Sequence, residues 1–183
     1  LPARVGAAHM KIVSTTLAGP GSASTIGDAL RSVDAIADAF TVIVTSDDNG
    51  PISATVANFP WWTDNAKRVR FAHFEWEEDL AAARNVSFYV ASGLDPDWVL
   101  VVDADERVEC SDPAAMRAFL ESTHADVVAL KCSAEDGERW ARACFFRMPA
   151  NAKWAGEGAR NAMFLSTKIA TAPASVATCG DIR

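Results

Sequence analysis

Short runs of β-branched and aliphatic residues alternate along this chain with stretches whose apolar positions recur every three or four residues. Lys11–Thr16 (KIVSTT) predicts a first strand. Ile26, Leu30, Val33, Ile36 and Phe40 then fall at spacings of four and three, the stripe of a surface helix that Ser22 or Ser24 can cap. Thr41–Thr45 (TVIVT) predicts a buried second strand, and the order strand, helix, strand predicts a right-handed βαβ unit in a parallel sheet. Pro51–Asn65, with Trp61 and Trp62 at its centre, reads as a loop, and Val69–His73 as a third strand. Glu75, Glu77, Glu78 and Asp79 crowd the start of the next helix, where the macrodipole favours negative charge. That helix runs to about Ser92, and Trp98–Val102 forms a fourth strand.

Ser111-Asp112-Pro113 places a cap before a proline at the first helical position, so Ala114–Ser122 predicts a helix. Asp126–Cys132 and Trp140–Met148 predict strands joined by an acidic loop at residues 135–138, and Pro149–Asn161 is irregular. The second half lacks the regular helical alternation of the first. The fold class is therefore α/β, a mixed but mostly parallel central sheet flanked by helices. Leu1–His9 shows no periodicity and reads as an expression-vector remnant ahead of Met10, leaving residues 10–183 as a single domain. Gly180–Arg183 reads as the start of a further strand cut short.

The length of 183 residues suits one sizeable core, and a net charge of −7 argues against a nucleic-acid backbone or an anionic membrane as main partner. The longest apolar runs are of strand length, so no transmembrane segment is expected. Cys110, Cys132, Cys144 and Cys179 lack CxxC spacing, which argues against a zinc site. Cys132 and Cys144 lie in apolar strands and read as core thiols, implying a reduced, cytoplasmic protein.

The fourth strand discharges into Asp103-Ala104-Asp105-Glu106. If extended geometry persists past Val102, Asp103 and Asp105 point to the same side, with no basic neighbour before Arg107. A hard divalent cation, Mn²⁺ or Mg²⁺, would relieve their repulsion and prefers such oxygen ligands. His73 and His124 have no ligand-spaced partners and read as structural or solvent-facing.

With Ala83-Arg84-Asn85 on the preceding helix, Ala81–Glu106 resembles the donor-binding segment of family-2 glycosyltransferases with the GT-A fold. These often carry an ARN triplet and then a Trp-containing strand ending in DADE, a DXD motif. Asp47-Asp48-Asn49 looks like the family's first acidic motif, which contacts the nucleotide base. The chain departs from the family at Leu17-Ala-Gly-Pro20, where many relatives carry Asn-Glu. It departs again at Trp154-Ala-Gly156, followed by Glu157 rather than a His-Glu pair.

The resemblance implies a metal-dependent, inverting transfer of sugar from a nucleoside-diphosphate sugar, a UDP-sugar favoured, to an acceptor hydroxyl. Asp47 or Asp48 would accept the N3–H of uracil, with Thr15 and Thr16 lining the same pocket. Arg84, beside Asn85, would fork onto phosphate oxygens or contact the base pocket. Asp103 would reach toward the ribose or the metal, and Asp105 would ligate the cation. Glu157 is the first choice for the general base, with Asp136 and Glu138 as alternatives. Trp61, Trp62 and Trp154 would stack on a sugar ring or anchor loops. Two other readings stand beside this one: a non-catalytic sugar-nucleotide or carbohydrate-binding module, and a HAD-type phosphohydrolase, which also uses Asp-x-Asp after an apolar strand.

Overall fold

The computed structural model describes residues 9–45, 50–58, 68–133, 139–148, 154–155, 163–164, 169–173 and 176–181. The expected α/β architecture is present. Strands β1 (Ile12–Ala18), β2 (Ala39–Val44), β3 (Val69–His73) and β4 (Trp98–Val101) are mutually parallel. β2 and β4 are continuously apolar or β-branched because both faces are covered, and β1 departs from this only at the buried Ser14. After β5 (Glu106–Cys110) come β6 (Val127–Ser133) and β7 (Arg139–Arg147), then the two-residue pair β8 (Trp154–Ala155) and β9 (Met163–Phe164), β10 (Ile169–Thr171) and β11 (Ala177–Asp181). The main sheet runs β3-β2-β1-β4-β7-β6-β11-β5, with β10 also paired to β6. β7 and β5 are antiparallel to their neighbours, so the sheet is mixed.

Helices α1 (Ile26–Val33) and α4 (Pro113–Ser122) put Ile26, Leu30, Val33, Met116 and Leu120 into one core with Ile12, Leu100 and Phe145. On the opposite face α3 (Leu80–Ser92) sets Phe88 and Ala91 against Val13, Val99 and Phe146, with the Phe88 and Phe146 rings edge to face at 5.2 Å. Asp79 caps α3 by accepting from Ala82 N–H, and Asp112 caps α4 by accepting from Ala115 N–H, both at 2.9 Å.

Below β1 and β2, Asp38 accepts from Ile12 N–H at 2.8 Å and from Arg117 Nη2 at 2.9 Å, while Arg117 also donates to the carbonyls of Met10 and Ile36. Burial pushes the Asp38 carboxyl up, but the Ile12 N–H, His9 and Arg117 outweigh it and hold the group below the usual aspartate value. This knot also corrects the first helix. α1 ends at Val33, Ile36 lies in the following turn, and Phe40 belongs to β2 although its spacing continues the helical stripe.

Four other expectations change. Gly50–Ala57 is a helix, α2, in the region read as loop: Pro51 sits in its first turn, where a missing N–H costs nothing, and Ile52 and Val56 are buried one turn apart. Neither Ser22 nor Ser24 caps α1: Ser22 exchanges hydrogen bonds with Gly19, the Ser24 hydroxyl donates to Gly21 C=O, and the capping position is Thr25. Gly180 lies near the end of a strand rather than at its start, because β11 inserts between β6 and β5. Cys132 is no free thiol: it faces Cys179 on β11, with Cα atoms 4.6 Å apart, and the two form a disulfide. The reduced-compartment reading loses that support, while Cys144 remains a buried thiol pushed up to about 11 by burial. Among the described residues no helix is long and apolar enough to cross a membrane.

Candidate functional site

Strand order reverses at β1: β2 and β3 lie to one side of it, and β4 to the other. In open α/β sheets such a reversal leaves a crevice outside the carboxyl ends of the two diverging strands. A cleft of about 450 Å³ opens there, lined by Leu17, Pro20, Gly21, Ser22 and Thr25 after β1, Leu80 and Arg84 of α3, and Asp103, Ala104 and Asp105 after β4. Gly21 turns the chain with φ 86°, a left-handed conformation that brings Pro20–Ser22 back over the end of β1. Leu17 and Pro20 thus contribute to one wall.

Extended geometry does not persist past Val102. Val102 N–H still donates to Thr15 C=O at 3.1 Å, but the next residues close a tight turn in which Glu106 N–H donates to Asp103 C=O at 3.0 Å. The Glu106 carboxylate reaches back to accept Asp103 N–H, also at 3.0 Å. The turn is therefore locked from both ends. Asp103 and Asp105 both border the cleft, through the turn rather than through strand alternation.

The expected absence of a basic neighbour is also overturned. Arg84, 4% exposed within α3, donates from Nη2 to Asp103 Oδ1. Arg142 of β7 donates from Nη2 to Asp103 Oδ2 at 2.9 Å, and its Nη1 pairs with Glu106. Burial raises the Asp103 carboxyl, but the guanidiniums of Arg84 and Arg142 more than offset this and hold it below the usual aspartate range, so Asp103 is ionised at neutral pH. Asp105 is exposed and makes no ion pair among the described residues.

A family model described as glycosyl transferase family 2 matches residues 19–171. The chain belongs to that family. Over 119 residues it is 32% identical to a TPR repeat-containing protein of Synechococcus elongatus, covering 64% of this chain and 26% of that protein. Its fold is similar to that of S. aureus TarS, with a TM-score of 0.53 at 20% identity over 70% of this chain and 23% of that one. TarS 1–349 in complex with UDP, and in complex with UDP-GlcNAc, gives 0.54 at 20% identity, over 37% and 36% of those chains. This family-2 chain thus spans about a quarter to just over a third of the proteins it matches. Membership also displaces the phosphohydrolase alternative.

Of the residues expected to serve a family-2 donor site, Arg84, Asp103 and Asp105 meet at the cleft. Asn85 lies half-buried on α3 and is not among the cleft-lining residues. Thr15 and Thr16 are fully buried within β1, which runs on to Ala18, so Leu17 takes the cleft-edge position instead. Asp47, Asp48, Trp61, Trp62, Asp136, Glu138 and Glu157 lie outside the described residues, as does the side chain of Trp154. His73 and His124 are exposed. Among the described residues no three His, Cys, Asp or Glu side chains converge.

Arg142 escaped the sequence reading. β7 returns antiparallel beside β4, pairing Leu100 with Phe145, and Arg142, three residues before Phe145, reaches Asp103 beyond the end of β4. The signal existed, but only for a reader who already knew that β7 returns beside β4.

Proposed function

We propose that this family-2 chain is the donor-binding part of a glycosyltransferase that moves a sugar from a nucleoside-diphosphate sugar, a UDP-sugar favoured, to an acceptor hydroxyl with inversion. The observation that supports the reading best is the cleft at the β1/β4 reversal, where Asp103 and Asp105 stand on a turn braced by arginines. TarS, which shares the fold, is seen with UDP and UDP-GlcNAc, and this favours uridine over other nucleosides.

The donor set fits a hard cation. Asp105 offers an exposed carboxylate, with Asp103 ionised beside it and engaged by Arg84 and Arg142, and Mg²⁺ at phosphate sites takes only one or two carboxylates, the rest coming from phosphates and water. Mn²⁺ or Mg²⁺, held by Asp105 with Asp103 beside it, supplies positive charge to the departing diphosphate when bound.

The chain's own residues do the rest. Arg84 fixes Asp103 and keeps it ionised, a different part from the direct phosphate contact its fork suggested. Leu17 and Pro20–Ser22 shield one side of the donor from water. Asp47 or Asp48 accepts the imide N–H of the base, and Glu157, with Asp136 as the alternative, takes the proton from the acceptor hydroxyl as it attacks the anomeric carbon from the face opposite the leaving group.

Titration calorimetry with UDP tests the reading. Binding is expected in the presence of Mn²⁺, and its loss is expected in Asp105→Ala. Equal binding with and without Mn²⁺, or in Asp105→Ala, would contradict the metal assignment.

A further inference from the structure

We propose that Arg142 is a positioning residue that braces the Asp103–Glu106 turn and leaves Asp105 as the one carboxylate of that turn free to meet a cation. The inference deepens the donor-site reading above and rests on it.

The geometry is specific. One planar guanidinium spans two carboxylates, Nη2 meeting Asp103 Oδ2 at 2.9 Å and Nη1 meeting Glu106 Oε2. That same Glu106 Oε2 accepts the backbone N–H of Asp103 at 3.0 Å. Arg142 thus ties together both ends of a turn whose intervening residues are Ala104, buried, and Asp105, exposed. Arg142 and Glu106 are largely buried, at 19% and 16% side-chain exposure. Two charges held out of water with a third group sharing them cost more to separate than a surface pair does. Lysine would reproduce the brace only in part, because its ammonium is a compact point charge without the planar, preorganised fork of a guanidinium.

The charges also sort the roles. Arg84 and Arg142 occupy separate oxygens of Asp103, and Glu106 is spoken for by Arg142 and the backbone. Two cations balance two anions, and Asp105 stands over as the unmatched charge at the cleft. Selection of the cation-meeting residue is therefore set by Arg142, a residue that need touch neither cation nor donor.

The test compares wild type, Arg142→Met, Arg142→Lys and Glu106→Gln. Amide hydrogen exchange at Asp103 and Glu106 is followed by NMR without ligand, and UDP is titrated in saturating Mn²⁺ by calorimetry. Arg142→Met is expected to speed exchange at both amides, and to raise the Kd by about tenfold or more with stoichiometry unchanged. Arg142→Lys is expected to recover only part of this. Glu106→Gln, which leaves β7 intact, should shift both readouts the same way by less. Unchanged exchange in both Arg142→Met and Glu106→Gln overturns the proposal whether or not nucleotide binds. A lower melting temperature and stoichiometry with an unchanged Kd marks Arg142 as a support of β7 alone, and also overturns it. If wild type binds no UDP, the donor-site reading fails, and the exchange rates still decide the bracing role.

Discussion

The guanidinium of Arg84, sealed in α3, donates to Oδ1 of Asp103, nineteen residues further on at the end of β4. α3 packs over β1 and β2 with Ala81, Ala83, Arg84, Ser87, Phe88 and Ala91 inward, so the one charged residue of its buried face lies against the strand that delivers an acid. Arg84→Met is expected to leave Asp103 with Arg142 alone and to cost about 2–3 kcal/mol of stability, read from urea unfolding. A loss within about 0.5 kcal/mol, as for an ordinary surface change, would show the pair to be incidental.

Asp105→Ala should behave in the opposite way. The side chain is exposed and unpaired among the described residues, so unfolding should shift by no more than about 0.5 kcal/mol while Mn²⁺-dependent UDP binding is lost. The contrast between these two variants separates the residue that holds the site from the residue that uses it.

How far the sequence disclosed this arrangement depended on distance along the chain. TVIVT and WVLVV were readable as buried strands because β-branched and aliphatic residues run on without interruption, as strands covered on both faces require. The Asp112-Pro113 start of α4 was readable because capping is local. Phe40 was misassigned since a strand residue happened to fall at helical spacing, and α2 was missed because Gly50-Pro51 mimics a loop while opening a helix. β5 shows only Val108 fully buried between exposed Arg107 and Glu109, too weak a pattern to announce itself. Arg142 and the partner of Cys132 needed tertiary register, which no local pattern carries.

The Cys132–Cys179 disulfide joins register partners on parallel strands and closes a separation of 47 residues. Through β11 it also holds β5, whose first residue is Glu106 of the braced turn, paired with Asp181. Cys132→Ser combined with Cys179→Ser is expected to lower stability by about 3–4 kcal/mol, measured by urea unfolding against the oxidised protein. An equal loss on treating wild type with a reductant, and none on treating the double variant, assigns the effect to the bond.

Asp38 sets a pH dependence away from the site. Its carboxyl is held below the usual aspartate value of 3.8, so its contribution is present in full above that value and is lost as pH falls through the lower folded-state value. Asp38→Asn should melt below wild type at neutral pH, by an amount of order 1–2 kcal/mol, with the gap closing as pH drops beneath about 4. A gap that widens on acidification would reverse the sign and refute the assignment.

The central claim, that the cleft between the ends of β1 and β4 receives a nucleotide diphosphate, meets its most direct test in a crystal soaked with UDP and Mn²⁺. Density for the diphosphate and the metal is expected between Gly21–Ser22 and the Asp103–Asp105 turn, with the cation beside Asp105. Nucleotide bound elsewhere on the sheet, or a metal bound away from Asp105, would contradict it.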